Sequence, residues 1–162
     1  MVKQYLRDNP IHKKIVPYFD YFFLLRPTLY AAIWVMLILG MAAAKMNIVD
    51  YPLWINNYDF STFLVLSGIT LLCSGTFIIN QIVDRHSDQK NKKLFLINEY
   101  IKIEDAQLIS HILSFVGFIL LSLGNFILSP LGVLIYILWG ILYNKPPFEW
   151  KKNHSLGFLP IY

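Results

Sequence analysis

Residues 60–83 form a run of 24 residues without a formal charge, and Asp84 ends it abruptly. Hydrocarbon offers a backbone no hydrogen-bond partners, so a stretch this long and apolar must satisfy its amides internally, as a helix. At about 1.5 Å per residue it crosses a hydrocarbon core about 30 Å thick with room for tilt. Residues 28–44, 106–128 and 131–143 are three further uncharged runs. The last covers only about 20 Å, so it needs support from neighbours or a locally thin bilayer. Composition agrees, since 56% hydrophobic residues, 15% charged residues and a mean hydropathy of +0.50 fall outside the soluble range. The sequence therefore predicts an all-α integral membrane protein, a single membrane domain over residues 1–162 with about four transmembrane helices.

The segments between the runs read as loops and interfaces. A basic head (Lys3, Arg7, Lys13, Lys14) leads into Tyr18, Phe19, Tyr21, Phe22 and Phe23, a pattern suited to the headgroup zone. The first twenty residues, mixed in charge and holding two prolines, do not read as a cleavable signal peptide. Arg26 closes the aromatic segment, on its simplest reading as a snorkelling arginine, and Pro27 suits the first turn of the next helix. Residues 84–105 are predicted to be a hydrophilic loop. Ser129 and Pro130 are placed as N-cap and first helical residue of the fourth span.

Orientation follows from the cations. Five Lys and Arg precede the first span, five lie in residues 84–105 and three follow the fourth span, whereas Lys45 alone lies on the opposite side. That bias puts the N-terminus, the Asp-rich loop and the C-terminus in the cytoplasm and fits a bacterial inner membrane. It also explains the net charge of +4, which is too small and too unevenly placed for a nucleic-acid surface. Cys73, the lone cysteine, can make no intrachain disulfide and reads as a small membrane-embedded side chain.

Chemistry concentrates at the end of the second span, in N-Q-I-V-D-R-H-S-D-Q-K-N-K-K from Asn80. Asn80, Asp84 and Asp88 are spaced i, i+4, i+8. If the helix continues, each is rotated about 40° from the last and set about 6 Å further along the axis, so all three share a stripe. Two carboxylates and an amide oxygen suit a hard cation such as Mg²⁺, and Lys90, Lys92 and Lys93 beside them suit a diphosphate. The plain alternative is a solvated acidic loop. Tyr143, Lys145, Lys151 and Lys152 add basic groups on the same side, alternatively a positive-inside anchor. Asn144 is placed to cap the fourth span, which Pro146 and Pro147 would stop. His86, two residues from each aspartate, is turned off the stripe and reads as solvent-facing.

N-Q-I-V-D-R-H-S-D resembles the first Asp-rich motif, N-x-x-x-D-x-x-x-D, of the UbiA superfamily of intramembrane prenyltransferases. Arg26-Pro27 resembles that family's early Arg-Pro element, and Y-N-K-P-P-F-E-W-K-K-N resembles its tyrosine, double-proline and lysine loop. The resemblance implies part of a UbiA-type helical bundle and Mg²⁺-dependent transfer of a prenyl group from an isoprenyl diphosphate to an aromatic or other lipophilic acceptor. Asp84 and Asp88 would be catalytic and, with Asn80, would hold the metal; Arg26, Tyr143, Lys145 and Lys151 would contact the diphosphate. Lys151 is the more family-like lysine. Family members are about twice as long and carry a second Asp-rich motif, which this chain lacks. The expectation is an N-terminal half, inactive alone, completed by a second half carrying another D-x-x-x-D. A non-catalytic four-span protein that binds a prenyl diphosphate or lipid headgroup is the alternative. A small transporter fits less well, because the acids cluster at one membrane face and not at the midplane.

Overall fold

The computed structural model describes residues 10–46, 60–91, 96–97 and 99–150. The described chain is helical: α1 (Pro10–Leu24), a 3₁₀ turn (Pro27–Leu29), α2 (Tyr30–Met46), α3 (Phe60–Lys90) and α4 (Ile103–Gly124) come first. A second 3₁₀ turn (Phe126–Leu128), α5 (Ser129–Ile135) and a π-helical turn (Tyr136–Leu142) follow. Among the described residues the only β feature is an isolated bridge between Ile97 and Ile101. Three stretches are long and apolar enough to cross a membrane: Lys14–Ala43, Phe60–Lys90 and Ile103–Gly124. Phe126–Leu142 is a shorter apolar segment, as its residue count requires.

Several boundaries differ from the sequence-based expectation. α3 does not stop at Val83 but runs on through Lys90, so Asp84 and Asp88 are helical. No glycine or proline interrupts this stretch, and Lys90 in the last turn suits the negative end of the helix dipole. The expected hydrophilic loop is correspondingly shorter and partly apolar. Leu96, Ile97 and Ile101 are buried in a cluster with Leu24, Ile78, Ile82 and Ala106. α4 begins at Ile103, where Glu104 and Asp105 sit favourably in the first turn. It ends at Gly124 rather than at residue 128, because Asn125 turns extended and its side-chain oxygen accepts from the Ile127 amide at 3.0 Å. Ser129 is not the N-cap of α5. It is already helical, and its hydroxyl donates to Ser122 Oγ at 2.9 Å.

The antiparallel pair α3 and α4 is the centre of the fold. Gly68 and Gly117 bring the backbones together: a Cβ at Gly68 would lie 2.5 Å from the Leu121 nitrogen, and one at Gly117 would lie 2.7 Å from the Gly68 oxygen. Further along, Ser110 Oγ donates to the Gly75 carbonyl at 2.9 Å. Hydrocarbon gives apolar helices no reason to prefer each other over lipid, so close backbone packing and interhelical hydrogen bonds must hold them. The segment from α5 onward runs parallel to α3, with Gly132 beside Leu72 and Gly140 beside Thr76 and Ile79. α2 runs antiparallel to α3 and is tied to it by polar side chains. Tyr30 bonds Ser74 at 2.8 Å, and Trp34 Nε1 donates to Thr70 Oγ1 at 2.9 Å. The outward faces carry exposed Met36, Phe63, Phe115 and Ile127, as expected of surfaces in contact with lipid.

Candidate functional site

α3 presents a different partner on each side. At about 100° per residue, Gly68 and Gly75 face α4, Thr76 and Ile79 face the π-helical turn, and Thr70 and Ser74 face α2. Asn80, Asp84 and Asp88 occupy the remaining sector, between the π-helical turn and α2. Each is partly exposed, whereas the adjoining Gln81 and Ile82 are buried. Because α3 continues through Lys90, helix geometry puts these three partly exposed side chains on one stripe of it. His86 is exposed, as its offset predicts.

Arg26 reaches the end of this stripe from the break between α1 and α2. Its backbone is left-handed, φ 54° and ψ 57°, a conformation uncommon outside glycine. Its Nη2 lies 3.9 Å from Asp88 Oδ2, with the two side chains 34% and 13% exposed. The break itself is pinned by Gln81, whose Nε2 donates to the Leu24 carbonyl at 2.7 Å. Two motifs far apart in the chain thus meet.

The fourth segment brings a third. Because it runs parallel to α3 with Gly140 at the level of Thr76 and Ile79, Tyr143, Asn144 and Lys145 come level with Asn80 and Asp84. Tyr143 and Lys145 are exposed there. Asn144 is 1% exposed and caps the segment as expected, Nδ2 donating to the Trp139 carbonyl at 2.6 Å. The π-helical geometry just before it shifts the register of this end, a distortion often found at functional sites. Lys151, Lys92 and Lys93 lie outside the described residues.

Among the described residues no group of three or more His, Cys, Asp or Glu side chains is placed to hold a metal. Asp84 and Asp88 are two carboxylates, about one helical turn apart. That is compatible with Mg²⁺, which is commonly held by one or two carboxylates and completes its octahedron with waters and phosphate oxygens. Gln81 and the aromatic pair Tyr30 and Trp34 were not marked by the sequence. Gln81 is rotated about 100° from Asn80, and nothing local shows that a carbonyl of another helix lies there.

Residues 32–160 match the family model described as the UbiA prenyltransferase family. The chain is 37% identical over 119 residues to a 2-acylphloroglucinol 4-prenyltransferase of Humulus lupulus, a match covering 71% of this chain and 27% of that protein. It is 39% identical over 106 residues to a second, chloroplastic 2-acylphloroglucinol 4-prenyltransferase of the same plant, covering 63% and 25% respectively. The matches thus span about a quarter of the length of these relatives. No solved structure matches the chain.

Proposed function

This chain belongs to the UbiA prenyltransferase family, and on that premise we propose that it supplies the first Asp-rich, Mg²⁺-dependent diphosphate site for transfer of a prenyl group to a lipophilic acceptor. The observation that carries the reading is the shared, partly exposed face of Asn80, Asp84 and Asp88 with the Arg26 guanidinium beside it. Asn80, Asp84 and Asp88 hold the metal. Bound there, Mg²⁺ neutralises charge on the diphosphate oxygens. Arg26, Tyr143, Lys145 and Lys151 contact the diphosphate and stabilise its negative charge as the allylic C–O bond breaks and the bonding electrons leave with the diphosphate. Tyr30 and Trp34, with ring centroids 6.1 Å apart on the α2 side, offer aromatic faces to the allylic cation left behind. A nucleophilic carbon of the acceptor then forms the new C–C bond and loses its proton to the released diphosphate. The names of the two relatives support an aromatic acceptor.

The site offers only two carboxylates among the described residues, which favours a chain that binds but does not turn over alone, with a second half carrying another D-x-x-x-D as its partner. A membrane protein binding a prenyl diphosphate or lipid headgroup without catalysis is the second reading. The lysine and arginine bias supports a bacterial inner membrane, and the plastid named for one relative is the other outcome of a localisation test.

The experiment is calorimetry of geranyl diphosphate binding to the purified chain in lipid nanodiscs. Binding is expected with Mg²⁺, is lost in EDTA, and weakens about tenfold or more in Asp84→Asn, the scale of a charged contact. Binding indifferent to both would overturn the site. Turnover of radiolabelled prenyl diphosphates with a panel of aromatic acceptors should be at background. Robust turnover that disappears in Asp84→Ala would instead make the isolated chain a complete enzyme.

A further inference from the structure

We propose that Gln81 is a positioning residue that sets where Arg26 reaches, by holding the Leu24 carbonyl at the end of α1. At this helix end the Phe22 and Phe23 carbonyls accept from the Leu25 and Arg26 amides at 3.2 and 3.1 Å. Arg26 is left-handed and turns the chain away from the helix axis, so the run of helical hydrogen bonds ends before it reaches the Leu24 carbonyl. Leu24 is fully buried, so water does not replace the missing donor, and a buried carbonyl without a partner is costly. Gln81 fills that role from α3. It is 7% exposed, and its Nε2 donates to the Leu24 carbonyl at 2.7 Å and to the Phe77 carbonyl of its own helix at 3.4 Å.

The geometry ties this bond to the site. Gln81 neighbours Asn80 on α3, while Leu24 precedes Arg26 by two residues. The bond therefore anchors the chain just before the left-handed residue whose guanidinium stands 3.9 Å from Asp88. Left-handed backbone at a non-glycine residue persists only where its surroundings hold it. Without the anchor the break can relax, and Arg26 leaves the stripe. Gln81 touches neither metal nor diphosphate in this account; it acts through Arg26.

The direct test is phenylglyoxal modification of Arg26 in the full chain in nanodiscs, read by peptide mass spectrometry against Arg85, whose Nη1 bond to the Ile82 carbonyl lies within α3. Gln81→Met and Gln81→Leu keep much of the size of glutamine and remove the donor. Each is expected to raise Arg26 modification about two- to tenfold, the net worth of one hydrogen bond, with Arg85 unchanged. Ser110→Ala, which removes a different hydrogen bond to α3, should leave Arg26 as in wild type. Unchanged Arg26 reactivity in both single variants overturns the proposal, as does an equal rise in Ser110→Ala. If Gln81→Met gives no folded protein, the same measurement is made on Gln81→Asn, whose shorter amide falls short of the Leu24 carbonyl: a rise at Arg26 supports the proposal and no rise overturns it.

A second arm rests on the diphosphate reading above. Inorganic pyrophosphate with Mg²⁺, titrated calorimetrically, should bind Gln81→Met about two- to tenfold more weakly than wild type, and no more weakly in an Arg26→Gln background. If wild type itself does not bind pyrophosphate, the diphosphate reading fails, while the Arg26 reactivity still decides the role of Gln81.

Discussion

Arg26 Nη2 and Asp88 Oδ2 stand 3.9 Å apart, joining the break between α1 and α2 to the last turns of α3. The pair is too long for a hydrogen bond, and the arginine is a third exposed, so its direct worth to stability is at most about 1 kcal/mol. Its geometric consequence is a fixed positive charge beside the Asp88 carboxylate. Arg26→Gln should lower the unfolding free energy by less than about 1 kcal/mol. It should weaken Mg²⁺-pyrophosphate binding about tenfold or more, the scale of a charge-assisted contact. Denaturant unfolding and calorimetry on the same preparations separate the two effects.

The stripe makes a sharp contrast within one helix. Asp84→Asn and Asp88→Asn should each weaken Mg²⁺-dependent binding of geranyl diphosphate about tenfold or more, and chelation of Mg²⁺ should abolish it in wild type. His86→Ala, at an exposed position between them, should leave both binding and stability within about 0.5 kcal/mol of wild type. A histidine effect as large as the aspartate effect would mean the helix is turned differently from the arrangement described.

Glycine substitutions test the helix pairing. A Cβ at Gly68 would meet backbone atoms of Leu121 and Gly117 at 2.5 and 2.8 Å, and backbone cannot move aside as a flexible side chain can. Gly68→Ala should therefore cost about 1–3 kcal/mol, and Gly68→Val more. At Gly40 a Cβ meets nothing within 4 Å, so Gly40→Ala should be neutral or stabilising by up to about 1 kcal/mol. Thermal unfolding in a single detergent would rank the three variants.

The polar ties of α2 give a smaller effect. Trp34→Phe and Tyr30→Phe each remove one hydrogen bond to α3 while keeping an aromatic ring. Interhelical hydrogen bonds in membranes average about 0.6 kcal/mol, so each variant should be destabilised by about 0.5–1.5 kcal/mol. The local double-mutant cycle Trp34→Phe with Thr70→Val should show coupling of similar size.

Much of this arrangement was legible from residue order alone. The uncharged runs marked the apolar spans because hydrocarbon demands an internally bonded backbone over about 30 Å. The i, i+4, i+8 spacing placed Asn80, Asp84 and Asp88 on one stripe, and His86 off it, because helical geometry is local. Asn144 as a cap was visible for the same reason. Residue pattern misled where a local preference met a competing partner. Ser129 reads as an N-cap until Ser122 takes its hydroxyl, and Leu96, Ile97 and Ile101 read as loop until a cluster around Leu24 and Ile82 buries them.

What the sequence determined by itself is the set of membrane helices and the composition of each helix face. Tertiary structure alone decided which faces meet. The Gly68 and Gly117 contact sets how close α3 and α4 lie, and packing along α3 brings Tyr143 and Lys145 level with Asn80 and Asp84. The left-handed turn at Arg26, pinned through Gln81, aims a guanidinium at Asp88. These are relations between residues distant in the chain. They depend on interhelical distance and rotation, which no local periodicity encodes.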